Sequence, residues 1–192
     1  MPVYDAIVLA GGGARRLGGV AKPQLMIGTS SLLDHVVAAA HDADQVIVVG
    51  PHQPVTQPVS QPLTWCREDP PGGGPVAAIA AAAPLTGADV VLVLAADLPW
   101  IAPAVSLLVD AVPPDGMAAL VDADGRRNHL AAAWRRAALV AALAGLGEVR
   151  GASMRSLAGT LACVLVPDVS GWGRDCNTWP AVAAARAVAE EV

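Results

Sequence analysis

The run Ala6-Ile-Val-Leu-Ala-Gly-Gly-Gly-Ala-Arg-Arg-Leu-Gly-Gly-Val-Ala-Lys22-Pro23 sets an apolar stretch directly against glycines and three cations. Gly11, Gly12 and Gly13 carry no Cβ, so their backbone can take positive φ and bring its amides against a ligand. Successive inward-facing amides make an anion nest, and Arg15, Arg16 and Lys22 add full positive charge. That is chemistry suited to a triphosphate. It is not the dinucleotide fingerprint, because G-x-G-x-x-G is missing and no ribose-binding acid stands at the expected distance. It also lacks the G-K-[ST] ending of a P-loop; Lys22 stands well downstream. A glycine turn needed for folding alone does not call for three cations.

Five further segments carry groups that can do chemistry. Ala95-Ala96-Asp97-Leu98-Pro99 follows the most apolar run of the chain. A carboxylate there suits a magnesium ion facing a triphosphate, since magnesium takes one or two carboxylates plus phosphate oxygens and water. The same residue would serve equally well as the cap of the helix that follows. Glu68-Asp69-Pro70-Pro71-Gly72-Gly73-Gly74-Pro75 ends a strand and opens a helix, offering backbone amides to negative groups. Asp69 is a carboxylate that can accept two hydrogen bonds, from a ring N–H and a neighbouring amine or from a pair of hydroxyls; a plain proline-glycine loop is the alternative. His129 follows an Asp124-Gly125 turn and can contact a substrate phosphate or ring edge, or be a structural group. Arg150 and Arg155 read either as part of a basic rim or as solvated surface charge. In Arg174-Asp175-Cys176-Asn177-Thr178, the Asn177 amide both donates and accepts, useful to phosphate or metal-bound water, while helix capping explains Asn177 and Thr178 about as well.

The elements that must position these groups follow from the alternation of short apolar runs with helical stretches, an α/β pattern. Strands are expected at about 4–10, 45–49, 63–66, 90–95, 117–122, 130–134 and 160–166. Helices are expected at about 31–41, 75–83, 102–111, 137–144, 153–158 and 180–190. Ile47-Val-Val and Val90-Val-Leu-Val-Leu show no polar alternation, so they should be parallel strands buried on both faces. In such a sheet the ligand crevice lies beyond the carboxyl ends of the strands. Asp124-Gly125 marks a tight hairpin, a local antiparallel element on that sheet. The stretch from Gly50 to Pro62, with four prolines, reads as an extended surface loop.

Composition narrows the classes. The 192 residues are expected to form one domain, 1–192, and the net charge of −5 argues against a nucleic-acid partner. Although 54% of residues are hydrophobic, no apolar run reaches the roughly 18 residues of a spanning helix. With no basic, apolar leader, the expected location is the cytoplasm. Cys66, Cys163 and Cys176 form no C-x-x-C pair, which fits a reduced compartment and not a zinc site.

The motif L-A-G-G-x-x-x-R-[ML]-G-x-x-K-P resembles the signature of the molybdenum cofactor guanylyltransferase family, and the likeness runs from Ala6 to about Pro180. It implies a Rossmann-like three-layer α/β/α sandwich of the nucleotide-diphospho-sugar transferase type. It further implies transfer of GMP from GTP to the phosphate of molybdopterin or molybdenum-molybdopterin, with Mg²⁺ held by Asp97, and contact with molybdoenzyme maturation proteins. The nucleotide would meet Leu9, Ala10, Gly11, Gly12, Lys22, Asp69, Gly74 and Asp97. Arg16, Lys22 and Asp97 would act on the triphosphate, and His129, Arg150 and Asn177 on the acceptor. Leu9-Ala10-Gly11-Gly12 leans toward guanine, because cytidylyltransferase relatives tend to read L-A-A-G. The alternatives are a CTP-dependent molybdopterin cytidylyltransferase, a guanylyltransferase for another small phosphate, and a nucleotide-binding module without turnover. Ala78, Leu130, Val149 and Trp179 depart from the family pattern and are the support for the last.

Overall fold

The two faces of the core can be followed strand by strand in the computed structural model, which describes residues 1–11, 21–159 and 161–190. In β1 (Tyr4–Leu9) all six residues are buried. Ala6 and Val8 face one side of the sheet while Ile7 and Leu9 face the other, the alternation that a pleated strand imposes. After a short antiparallel ribbon, β2 (Met26–Ile27) with β3 (Ser30–Ser31), come α1 (Leu32–Ala39), β4 (Val46–Val49), β5 (Leu63–Cys66) and α2 (Pro75–Ala82). The chain continues through β6 (Val90–Ala95), α3 (Ala102–Asp110), β7 (Gly116–Val121), β8 (Arg127–Arg135) and α4 (Arg136–Gly145). It closes with α5 (Met154–Ala158), β9 (Ala162–Pro167) and α6 (Trp179–Glu190).

The main sheet runs in the order β5-β4-β1-β6-β8-β7-β9. Neighbours pair parallel except that β8 lies antiparallel to both β6 and β7. The expected hairpin is therefore present, and its second strand is inserted into the middle of the sheet. One face is covered by α1 and α3, whose Leu33, Val36, Val105 and Leu108 pack on Val8, Val48 and Leu94. The other is covered by α2, α4 and α5 through Val76, Ile79, Leu139 and Leu157. This is the three-layer sandwich that the family resemblance implies. A third cluster of Ile27, Leu32, Cys176, Val182 and Ala185 seats α6 against the ribbon. No described helix is long and apolar enough to cross a membrane.

Two local devices fix the side of the sheet that carries β1 and β4. Ser31 and Asp34 form a reciprocal capping box at the start of α1. The buried Asp34 carboxylate also accepts from the Thr56 amide at 2.8 Å and its hydroxyl at 2.7 Å, tying the proline-rich loop to that helix. Burial alone would raise the Asp34 pKa, but hydrogen bonds from Thr56 and Ser31 hold it below the ordinary carboxylate value.

On the other side, β7 pairs Ala119 with Ala132 but Leu120 with Asn128. Residues 129–131 of β8 therefore bulge between two adjacent positions of its neighbour. Asp122 closes the turn, its Oδ1 accepting from the amides of Asp124 and Arg126. Gly125 takes a φ of 77°, which suits glycine.

Candidate active site

With β8 reversed, its N-terminal end lies at the same edge as the C-terminal ends of the other main-sheet strands. Every segment singled out in the sequence, apart from those outside the described residues, emerges at or near this edge. The strand ladder extends one residue past β1, where the Ala10 amide donates to Val49 O at 2.9 Å and the Ala96 amide to Leu9 O at 3.1 Å. Gly50 follows β4 with φ 150°, and a Cβ there would stand 2.8 Å from the Ala10 carbonyl carbon. Only glycine allows the two chain segments to pass this closely, which sets where Ala10 and Gly11 present their backbone. The Val49-Gly50-Pro51 sequence was the available signal for this position, but it reads equally well as the start of a loop.

Asp97 stands two residues beyond β6. Its Oδ2 is paired with Lys22 Nζ, and the same ammonium donates to Asn177 Oδ1 at 2.5 Å. Lys22 opens a one-turn 3-10 helix, Lys22–Gln24, with Pro23 at its start. Asn177 is held in place through its neighbour. The Cys176 amide donates to Asp97 O at 3.1 Å, and the Cys176 side chain is buried in the third apolar cluster. Burial, followed by the nearby Asp97 carboxylate, pushes the Cys176 thiol up to about 11, so it remains an un-ionised anchor.

The two capping alternatives are now separated. α3 begins at Ala102 with no side-chain cap, so Asp97 does not cap it. At α6 it is Thr178 whose hydroxyl accepts from the Ala181 amide at 3.3 Å, while the Asn177 side chain serves Lys22.

The second glycine loop lies past β5. Glu68 Oε1 accepts from the Gly72 amide at 2.9 Å and shapes the loop, and Asp69 is exposed. Gly74 caps α2 with φ 91°. Arg150 donates through Nη1 to Pro70 O at 3.2 Å, and the Gly151 amide donates to Gly73 O at 2.7 Å. Arg150 thus braces the loop carrying Asp69 and Gly74 and does not line the cleft that holds His129.

His129 lies on the β8 bulge. It lines a cleft of about 350 Å³ together with Asp122, Arg127, Asn128, Met154 and Asp175. Its Nδ1 is buried without a hydrogen-bond partner among the described residues. Burial, then the Arg127 and Arg155 charges, lowers its pKa, so the imidazole is neutral around pH 7. Asp175 joins this cleft to the Asp97 cluster, since it lies two residues before Asn177.

The departures from the family pattern have ordinary packing roles. Ala78 is buried, and Leu130 and Val149 pack against the same cluster. Trp179, about half exposed, begins α6. Arg16 and Gly12 lie outside the described residues.

Residues 6–163 match the model of the MobA-like NTP transferase domain. A probable molybdenum cofactor guanylyltransferase of Synechococcus elongatus is 32% identical over 186 residues, covering 91% of this chain and 94% of its own. Among solved structures, a nucleotidyl transferase from Methanothermobacter thermautotroptrophicus superposes with a TM-score of 0.79 at 20% identity, covering 98% of both chains. Molybdopterin-guanine dinucleotide biosynthesis protein A from Archaeoglobus fulgidus superposes with a TM-score of 0.71 at 19% identity, over 98% of this chain and 100% of its own.

Proposed function

Because this chain belongs to the MobA-like NTP transferase domain family, we propose that it transfers GMP from GTP to the phosphate of molybdopterin or molybdenum-molybdopterin, releasing pyrophosphate. The observation that carries this reading is the convergence of Lys22, Asp97 and Asn177 at the carboxyl edge of the sheet, with a polar cleft beside them. The similarity to a probable guanylyltransferase over nearly the whole chain supports GTP as the donor.

In this reaction an acceptor phosphate oxygen bonds to the α-phosphorus of GTP, the bond from that phosphorus to the bridging oxygen breaks, and pyrophosphate carries the electrons away. The acceptor phosphate is already ionised near neutral pH, so no general base is needed. The protein's task is positioning and charge neutralisation. The backbone at Leu9, Ala10 and Gly11, held by Gly50, takes one side of the nucleotide. The loop with Asp69 and Gly74, braced by Arg150, takes the other. Lys22 neutralises the triphosphate. The cleft under the β8 bulge receives the acceptor, where the neutral His129 and the nearby Arg127 meet its phosphate or ring.

The donor set fits magnesium. Asp97 Oδ2 and Asn177 Oδ1 are hard oxygens already gathered around one cation, the Lys22 ammonium. Mg²⁺ held at Asp97 would supply Lewis-acid neutralisation of phosphate oxygens.

Calorimetric titration with GTP, CTP and ATP, each with Mg²⁺, tests the donor, and pyrophosphate release with molybdopterin tests the transfer. GTP preference with pyrophosphate release supports the reading. A preference for CTP moves it to cytidylyl transfer, and no nucleotide binding ends it.

A further inference from the structure

Lys22 Nζ donates at once to Asp97 Oδ2 and Asn177 Oδ1, the two side-chain oxygens a divalent ion at this edge would draw on. One cation in that position excludes the other. The two acceptors are anchored from the interior. Asp97 follows the buried β6 strand and its carbonyl accepts from Cys176, whose side chain is sealed in the third apolar cluster. The lysine, by contrast, sits on a single 3-10 turn at the end of a flexible four-carbon stem. Any exchange at this point therefore moves the lysine and leaves the oxygens in place. The side chains of Lys22 and Asp97 are only 15% and 16% exposed, so solvent screens the pair weakly.

We infer that Lys22 fills the cation position of the nucleotide-free protein and leaves it only when a triphosphate offers it new oxygens, so that metal loads with the nucleotide and not ahead of it. This rests on the reading above that the edge takes a metal-bound nucleotide. A divalent ion entering alone must push the ammonium aside and leave two like charges as near neighbours, which is unfavourable at low screening. With a triphosphate present, the displaced lysine gains phosphate partners and the penalty disappears. Reciprocity then requires nucleotide to tighten metal and metal to tighten nucleotide by the same factor. The sign of one mutation follows: deleting the lysine charge should tighten metal binding to the empty enzyme while weakening its hold on nucleotide.

The test is a titration of the nucleotide-free full-length chain with Mn²⁺, reading free aqua-ion by electron paramagnetic resonance, with circular dichroism as a check on folding. Lys22→Met and Lys22→Gln should each bind Mn²⁺ about tenfold more tightly than wild type, the scale on which one neighbouring charge shifts an ionic equilibrium. Arg174→Gln, which removes an exposed charge from the Asn177 loop, should leave the affinity unchanged, and Asp97→Asn should abolish it. Equal or weaker Mn²⁺ binding in both lysine variants overturns the inference. So does equal tightening in Arg174→Gln, which would reduce the effect to overall charge, or undiminished binding in Asp97→Asn, which would place the metal elsewhere. GTP calorimetry on wild type keeps the two readings apart. Absent GTP binding removes the guanylyl-transfer reading. Intact GTP binding with unchanged Mn²⁺ affinity in the lysine variants removes only the loading order.

Discussion

The two halves of the sheet are built on different plans. On the side of β5, β4, β1 and β6 all pairings are parallel and in regular register, and the close chain approach at Gly50 and the buried Asp34 network lie beside these strands. On the side of β8, β7 and β9 a reversed strand intrudes, its register jumps at residues 129–131, and the edge strand β9 leaves Val164 and Leu165 exposed. The regular half carries the glycine loops suited to a nucleotide, a ligand shared by many enzymes. The irregular half carries the cleft, and strand bulges are a means of re-aiming side chains near a site. Under the proposed function, the contrast makes the donor site a property of the regular sheet and the acceptor site a consequence of its interruption.

The largest break in this comparison should come at the seam between the halves. Asp97→Ala should lower kcat by roughly 10²–10³-fold, the scale for removing one electrostatic contact to the reacting phosphate, and should weaken GTP binding in the presence of Mg²⁺. Steady-state pyrophosphate release measures it; a loss below tenfold would place the catalytic charge elsewhere. Next in size is Gly50→Ala, which forces a Cβ to within 2.8 Å of the Ala10 backbone at a φ that side chains rarely adopt. A destabilisation of about 2–3 kcal/mol is expected from urea unfolding, with GTP affinity falling as well. Unchanged stability would show that β1 and β4 can separate at their ends without consequence.

Asp34→Ala tests the same half more gently, with an expected cost of about 1–2 kcal/mol at pH 7 from the lost cap and loop tie. Its pH dependence has a definite sign. Because the folded-state pKa is depressed, the stabilisation is complete above the ordinary carboxylate value of 3.8 and is lost as pH falls below it through the folded value. The wild-type and Asp34→Ala unfolding curves should therefore converge in acid and diverge toward neutrality. A gap independent of pH would mean that the ionised carboxylate contributes nothing.

The smallest effect belongs to the irregular half. His129→Ala should raise KM for the acceptor about tenfold, or ~1.4 kcal/mol, and leave GTP affinity untouched. Since burial and the two arginines hold its pKa below the ordinary histidine value, the ratio of acceptor KM between His129→Ala and wild type should not change above about pH 7.5. A change in GTP affinity would undo the division between the halves.

Much of the regular half was legible in the sequence because its strands are continuous apolar runs. The expected strands at 63–66 and 90–95 coincide with the observed Leu63–Cys66 and Val90–Ala95. The strand expected at 130–134 instead begins at Arg127, since a tight Asp-Gly turn needs no spacer and polar residues can open a strand. The ribbon of Met26–Ile27 and Ser30–Ser31 leaves no signal in the sequence, because two-residue strands have no periodicity to read. Lys22, Asp97 and Asn177 were each legible as single residues with chemistry. Their meeting across 155 positions of chain was not, for it depends on strand order and on Cys176 being buried. Arg150 is read toward the acceptor from its place in the family resemblance, and its hydrogen bond to Pro70 O has no signal in the sequence because it depends on how two distant loops meet.

The insertion of β8 between β6 and β7 also constrains how the chain can assemble. The β7–β8 hairpin is joined by a short turn and can form on its own, but β6 gains its second neighbour only when that hairpin docks. Local hairpins close in microseconds, while distant pairings wait on loop closure. The docking of β8 on β6 is then the event that unites the molecule, with the Leu92–Ala133 contact at its centre. Mutations there should slow folding itself, whereas mutations in the exposed β9 edge should mainly hasten unfolding, a distinction that stopped-flow refolding of Ala133→Gly and Val164→Ala would read directly.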